Sequence, residues 1–158
     1  MHPRAVEFKR RVAAEHGFEV DVQEFPEGTK TAADAAKAVG CSVAQIASGI
    51  VLSVDDTLVV SVTSGANRVD MSKIAALTGV DEPNVSMADA TDIKATLGWS
   101  IGGVPPFCHE TAVPGFVDET LVKFDTVWAA AGTPQAVFPI DPNTLVDVAD
   151  ATIADIRQ

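Results

Sequence analysis

The segment that decides the predicted fold is Gln45-Ile-Ala-Ser-Gly-Ile-Val-Leu-Ser-Val54, followed by Asp55-Asp56 and Thr57-Leu-Val-Val-Ser-Val-Thr63. The first arm is rich in Ile and Val and the second in Val, residues that favour β-strands, and the two aspartates between the arms are typical of a turn. We therefore predict an antiparallel β-hairpin with the aspartates at its tip.

Short helices and strands are predicted on both sides of this hairpin. Apolar spacing and N-cap residues indicate four helices that end before glycines, and the pair Asp141-Pro142 starts a fifth. Strict alternation predicts a strand over residues 18–23, and further extended segments are predicted over 85–88, 113–117, 126–130 and 136–140. The irregular order indicates a mixed α/β (α+β) fold in a single domain, residues 1–158, and not a regular doubly wound sheet.

The composition is strongly acidic, with 22 Asp and Glu residues against 11 Lys and Arg residues and a net charge of −11. Such a surface does not attract nucleic acid at long range, so any RNA contact needs a local basic patch. The acidic balance also suits a high-salt, halophilic cytoplasm. No apolar run approaches the roughly 20 residues of a membrane helix, and no signal core follows the first charges. A cytoplasmic protein is expected.

The segment Ser100-Ile-Gly-Gly-Val-Pro-Pro-Phe-Cys-His109, called here the glycine-proline loop, concentrates residues with special backbones. Glycines let another group approach the main chain closely, and prolines stiffen it. One interpretation is a tight turn between strands, which is the commoner use of such residues. The other is a wall of backbone N–H groups that holds a polar ligand atom.

Metal and thiol chemistry find little support in the sequence. Adjacent side chains in a strand point to opposite faces, so Cys108 and His109 do not converge, and we predict no metal site. No second histidine has an evident route to Cys108, so we expect both Cys41 and Cys108 to be buried, reduced thiols. A thiol-dependent hydrolase that uses Cys108 is kept as a third, weaker hypothesis.

Three further residues allow two interpretations each. Arg68 is either a fork for a phosphate or carboxylate or a partner of one of the many acids. Asp118 either orients a ligand or caps a turn, and His109 either contacts a ligand or holds a turn. We expect Trp128 to pack in the core and not to line a pocket.

Six segments, in order, resemble the YbaK/EbsC family of aminoacyl-tRNA deacylases, which are related to the editing domain inserted in bacterial prolyl-tRNA synthetases. They are Thr31-Ala-Ala-Asp-Ala-Ala-Lys-Ala-Val-Gly40, Gln45-Ile-Ala-Ser-Gly-Ile-Val-Leu52, Thr63-Ser-Gly-Ala-Asn-Arg-Val-Asp70, Ile101-Gly-Gly-Val-Pro-Pro-Phe-Cys-His109, Phe116-Val-Asp118 and Val127-Trp-Ala-Ala-Ala-Gly132.

The resemblance implies a curved, largely antiparallel mixed sheet that forms a partial barrel with surrounding helices. It implies a free-standing, trans-editing deacylase that hydrolyses the ester of a mischarged tRNA, with a small amino acid on tRNA-Pro or a similar tRNA. No cofactor is expected. The implied partners are the aminoacyl-tRNA 3′ end and an aminoacyl-tRNA synthetase, with the protein a monomer or homodimer and no membrane partner.

The resemblance also nominates site residues. Many members carry a lysine in the hairpin strand, where this chain has Ser48, so a cation is missing that Lys30 or Arg68 would have to replace. The alternative function is therefore a non-catalytic aminoacyl- or nucleotide-binding module of the same fold. The nominated catalytic residues are Gly102, Gly103 and Ser48, and the nominated substrate-binding residues are Lys30, Arg68, Val104, Pro105, His109 and Asp118.

Overall fold

Five α-helices surround an eight-stranded mixed sheet in the computed structural model, which describes residues 1–29 and 31–158. The helices are α1 (Pro3–His16), α2 (Ala32–Val39), α3 (Met71–Thr78), α4 (Ala90–Leu97) and α5 (Pro142–Ala149). The strands are β1 (Gln23–Glu24), β2 (Ile46–Val54), β3 (Thr57–Ser64), β4 (Val85–Met87), β5 (Gly115–Asp118), β6 (Val127–Ala130), β7 (Ala136–Ile140) and β8 (Thr152–Ala154).

The predicted hairpin is confirmed and forms the centre of the sheet. β2 and β3 pair antiparallel from Ala47–Ser64 to Val54–Thr57. Asp55 and Asp56 both have positive φ, 50° and 66°, as a two-residue turn that matches the strand twist requires.

The sheet order is β1-β7-β6-β2-β3-β5-β8, with β4 on β2, and the sheet does not close on itself. Parallel pairs join β2 to β6, β3 to β5 and β5 to β8, and the other pairs are antiparallel. The predicted mixed, partial-barrel fold class is confirmed. No helix among the described residues combines the length and apolar composition needed to cross a bilayer.

The predicted helices are confirmed. They were predictable because the residues that start and end a helix act over only a few positions. Thr31 and Asp89 accept hydrogen bonds from backbone N–H groups in the first turns of α2 and α4, and Asp70 does so for α3. Gly17 ends α1 with a left-handed φ of 74°, a backbone conformation that a glycine adopts without strain.

The predicted strand over residues 18–23 is wrong. Val20 is buried in the core, with Phe18 and Val22 packed partly against it, so the alternation does report burial. Backbone pairing starts only at Gln23, which together with Glu24 pairs with β7. An alternating pattern requires one buried face, and it does not require a neighbouring strand.

An aromatic cluster joins α1 to the glycine-proline loop. The ring of Phe8, on α1, lies 5.7 Å from that of Phe107 and 5.1 Å from that of Phe138. Trp99, fully buried, packs edge-on against Phe8 and donates its indole N–H to the Cys108 carbonyl at 2.9 Å. These contacts fix the loop against the end of α1.

Candidate functional site

A gap in the pairing of β2 lies beside a pocket. β3 covers one edge of β2, whereas the other edge is paired with β6 only at Ile46 and Ala47 and with β4 only from Leu52 to Val54. Within the described chain, residues 48–50 therefore have no strand partner on that side; we call this the β2 gap. A pocket of about 230 Å³ opens there, between the β2 gap, α2 and the glycine-proline loop.

The pocket wall is mostly apolar. Ala47 and Ala129, which are register partners in β2 and β6, contribute small side chains, and Val104 and Ile93 add larger ones. Its lining also includes Met87 and Ile101, large apolar residues that are 55% and 56% exposed. Exposed apolar groups beside a concave site are typical of ligand-binding surfaces.

Trp128 also lines this pocket, which corrects the expectation that it packs only in the core. Its side chain is half-buried and packs against a small cluster that contains Ala35 and Ile46. Trp128 is the register partner of Ile46, so the indole lies on the face of the sheet against which the α2 residue Ala35 packs. The sequence signals burial and does not show which neighbours are missing.

The polar groups of the described lining residues are the hydroxyls of Thr29, Thr31 and Ser48, the indole N–H of Trp128 and the backbone. The Thr29 hydroxyl donates to the Pro134 carbonyl at 2.7 Å, and the Thr31 hydroxyl accepts the N–H of Asp34 at 3.0 Å. The half-buried Ser48 hydroxyl has no hydrogen-bond partner in residues 1–29 and 31–158. No ionisable side chain occurs among the described lining residues.

The two loop glycines have different environments. Gly102 is exposed, lines the pocket and has a φ of +87°. Gly103 is buried, and its N–H donates to the Ser100 carbonyl at 3.0 Å. A Cβ on Gly103 would lie 2.7 Å from the Thr133 Cα, so this glycine permits close backbone packing. The Gly103 N–H is therefore used within the loop, whereas the Gly102 N–H forms no hydrogen bond with the described residues.

Pro105 and His109 stabilise the loop from behind. The His109 Nε2–H donates to the Pro105 carbonyl at 2.8 Å, and neither residue lines the pocket. Burial lowers the pKa of His109 below its ordinary value, so the neutral ring is favoured. This contact matches the turn-holding interpretation of His109.

A second pocket, of about 350 Å³, adjoins the first and shares Ala32, Ser48, Ile50 and Met87 with it. The exposed Arg68 lines this second pocket. Ser48 therefore lies at the junction of the two pockets.

Asp118 supports the second pocket without lining it. It is fully buried and accepts the Asn67 amide at 2.9 Å, the Thr120 N–H at 2.9 Å and the Ser64 N–H at 3.1 Å. Burial alone would raise the pKa of Asp118, but these hydrogen bonds outweigh burial and lower it. Asn67 lines the pocket, so the buried carboxylate positions part of its wall.

The nominated residues thus divide into groups. Ser48, Gly102 and Val104 line the first pocket; Ser48 and Arg68 line the second; Gly103, Pro105, His109 and Asp118 lie behind the two walls. Lys30 lies outside the described residues. The functional roles of all nine remain predictions.

The expectation that no histidine reaches Cys108 is wrong. Ligand atoms of Glu15, His16 and Cys108 all lie within 4.8 Å of one another, because α1 ends against the glycine-proline loop. Burial raises the pKa of the Cys108 thiol to about 11, so the thiolate that a nucleophilic mechanism needs is scarce at neutral pH.

Comparison with known proteins gives a consistent assignment. The model of the aminoacyl-tRNA editing domain matches residues 26–148. The chain is 28% identical over 130 residues to the uncharacterized protein YwhH of Bacillus subtilis (strain 168), covering 80% of each chain.

Two solved structures share the fold over nearly the whole chain. One, of a proposed trans-editing enzyme for prolyl-tRNA synthetase, is 34% identical with a TM-score of 0.93, covering 100% of this chain and 99% of that one. The other, of the hypothetical protein APE2540, is 25% identical with a TM-score of 0.83, covering 98% and 99% of the two chains. The chain belongs to the family of aminoacyl-tRNA editing domains.

Proposed function

We propose that this protein is a trans-editing deacylase, which hydrolyses the ester between a small amino acid and the 3′-terminal ribose of a mischarged tRNA. The observation that carries this proposal is the small, mostly apolar pocket at the β2 gap, which includes the Ser48 hydroxyl, in a chain of the editing family. Free-standing action is supported by the match to 99% of a proposed trans-editing enzyme for prolyl-tRNA synthetase.

The size of the pocket favours a small aminoacyl group. Pockets for drug-sized ligands measure roughly 300–1,000 Å³, whereas this one measures about 230 Å³. Its wall of alanines, valine and isoleucine suits a short apolar or weakly polar side chain. A site of this size admits small amino acids and excludes large ones, which is how an editing site discriminates.

The chemistry proposed for this pocket needs no charged side chain. A water attacks the ester carbonyl carbon, the carbonyl oxygen becomes an oxyanion, and the bond to the ribose oxygen breaks as that oxygen takes a proton. The Gly102 N–H and the Ser48 hydroxyl are the proposed donors to the oxyanion, because both belong to the lining residues. A ribose hydroxyl or the amino group of the substrate would position the water.

The second pocket suits the end of the tRNA chain. It shares Ser48 with the first pocket and carries Arg68, whose guanidinium can hold a phosphate by two parallel hydrogen bonds. Arg68 is thus a proposed anchor in a protein whose net charge of −11 repels tRNA elsewhere.

The second candidate function is a binding module without catalysis. The observation that favours it is the lack of an ionisable side chain among the described lining residues. Such a module would hold an aminoacyl group or a nucleotide without turnover.

The test is deacylation of tRNAs that carry alanine, serine, threonine or cysteine, from low to molar salt, by the wild-type protein and a Ser48→Lys variant. Hydrolysis of one ester by the wild type supports the deacylase. If the wild type hydrolyses none of these esters and the Ser48→Lys variant does, the deacylase proposal is overturned and the binding module is favoured. Thermal stabilisation by an aminoacyl-tRNA analogue, with no turnover, would point the same way.

A further inference from the structure

A cluster of three potential metal ligands lies outside both pockets, where α1 ends against the glycine-proline loop. The carboxylate of Glu15, the imidazole of His16 and the thiol of Cys108 bring their ligand atoms within 4.8 Å of one another. We propose that these three residues bind one divalent transition-metal ion of the zinc type. The proposal is independent of the deacylase function.

The donor set suits zinc by its chemistry. A thiolate, an imidazole nitrogen and a carboxylate oxygen are the three ligand types that zinc uses, with three protein ligands and water in the fourth position in open sites. Metal–ligand distances of about 2.0–2.3 Å would place the ligand atoms roughly 3.3–3.8 Å apart. Since 4.8 Å is the upper limit of the separations, the cluster needs to contract by at most roughly 1.0–1.5 Å, which side-chain rotation of the exposed Glu15 and His16 can supply.

Cys108 is held in place from two sides. Its φ of 63° lies in the left-handed region, which a residue with a Cβ seldom adopts. Its carbonyl accepts the Trp99 indole N–H at 2.9 Å, and the side chain is only 5% exposed. An unusual backbone that the surroundings maintain is a reason to look for a function at that residue.

His16 is also restricted by its neighbours. Its ring packs edge-on against Phe107 at 5.7 Å between centroids and lies 6.5 Å from Phe18. Because Phe107 directly precedes Cys108, the packing that orients the imidazole also fixes the loop that carries the thiol. The imidazole is therefore kept beside the thiol before a metal arrives, and only a small rotation is needed to bring the two ligand atoms to bonding distance.

The positive charge of Arg11 lies close to Glu15 and would repel a metal ion bound by the cluster. Its Nε donates to Oε2 of Glu15 at 2.7 Å, across one turn of α1. A hydrogen bond to a ligating carboxylate is a common second contact around metals and orients the ligand, and the other oxygen can bind the ion. On binding, the Cys108 thiol releases its proton to solvent as the sulfur–metal bond forms.

The experiment is a titration of the purified protein with Co²⁺, followed by the thiolate-to-cobalt charge-transfer absorption, and then displacement by Zn²⁺. We expect one equivalent of Co²⁺ to give the band and Zn²⁺ to remove it. Cys108→Gly should abolish the band, because it removes the thiol and keeps a residue that suits the left-handed backbone. Cys41→Ser and His2→Ala are the matched controls and should leave the band unchanged.

Loss of one ligand while the thiol remains should weaken binding. Outer-shell partners alone are worth about 10- to 100-fold in metal affinity, so we expect at least a tenfold weaker affinity in His16→Ala and in Glu15→Gln. The latter keeps the side-chain volume, and thermal unfolding of each variant checks the fold. No charge-transfer band in the wild type, a band that survives Cys108→Gly, or one that depends on Cys41 would overturn the proposal.

Discussion

The substitution Gly49→Ala tests the packing that forms the pocket. Gly49 lies in the β2 gap, and a Cβ at this position would lie 2.9 Å from the Val104 carbonyl oxygen. That oxygen belongs to the main chain of the glycine-proline loop, so no side-chain rotation can relieve the contact. One wall of the pocket has to move away from the other.

The expected loss of stability follows from the overlap between the added methyl group and the Val104 carbonyl oxygen. Overpacking by one methyl group costs about 1–3 kcal/mol, and for a chain of this size each kcal/mol lowers Tm by about 2–4 °C. We therefore expect Gly49→Ala to unfold roughly 2–12 °C below the wild type. Gly115→Ala in β5 is the matched control, because its Cβ would meet its nearest neighbours, Val60 O and Ala151 Cβ, at 3.5 and 3.6 Å. Its stability should stay level or rise by up to about 1 kcal/mol.

The assay combines thermal unfolding with kcat/KM for deacylation of the preferred mischarged tRNA. A displacement of about 1 Å at a reacting group can cost on the order of 100-fold in rate, so Gly49→Ala should lose about 10- to 100-fold and Gly115→Ala nothing. Wild-type stability of Gly49→Ala would refute the packing argument. Lowered stability with an unchanged kcat/KM would show that the reaction occurs elsewhere.

Three further predictions concern charge and titration. Asp118→Asn should lower the free energy of unfolding by about 1–3 kcal/mol near neutral pH. Hydrogen bonds lower the pKa of Asp118 in the folded state, so the stability that its carboxylate contributes is present above the pKa of the unfolded state and disappears as the pH falls through the pKa of the folded state. The urea-unfolding curves of variant and wild type should therefore converge in acid and remain apart at neutral pH. Burial raises the pKa of Cys108 to about 11, so iodoacetamide should label this thiol slowly at neutral pH and faster in alkali. The Cys108→Ala variant should deacylate at the wild-type rate. Loss of deacylation in this variant would instead support the thiol-dependent mechanism. Screening weakens repulsion between tRNA and a protein of net charge −11, so KM for tRNA should fall or stay level from low to molar salt, whereas a steep rise would mean that phosphate contacts dominate.

The features that were predictable from sequence are those encoded within a few residues. Asp55 and Asp56 form the hairpin turn because their own backbones adopt positive φ between two strands. Asp70 caps α3 through the N–H groups of residues two and three positions later. The mixed fold class follows from the order of such local signals along the chain, whereas the editing family was indicated by the resemblance of six segments and is confirmed by the match to the family model.

The candidate site was only partly predictable, because its geometry depends on contacts between distant segments. The sequence marked Gly102 and Gly103 as equivalent, but Thr133 packs against one and leaves the other in the pocket. The alternation over residues 18–23 signalled burial correctly but could not show that no strand lies beside most of them.

The sequence by itself determined the hairpin and the helix ends, since capping, turn and strand propensities act between neighbouring residues, and its resemblance to known sequences indicated the family. Only the tertiary structure decided the position of the β2 gap among the described residues, which glycine lines the pocket and that His16 lies beside Cys108. The physical reason is that these features arise from packing between segments tens of residues apart. No local propensity carries information about which of those segments become neighbours.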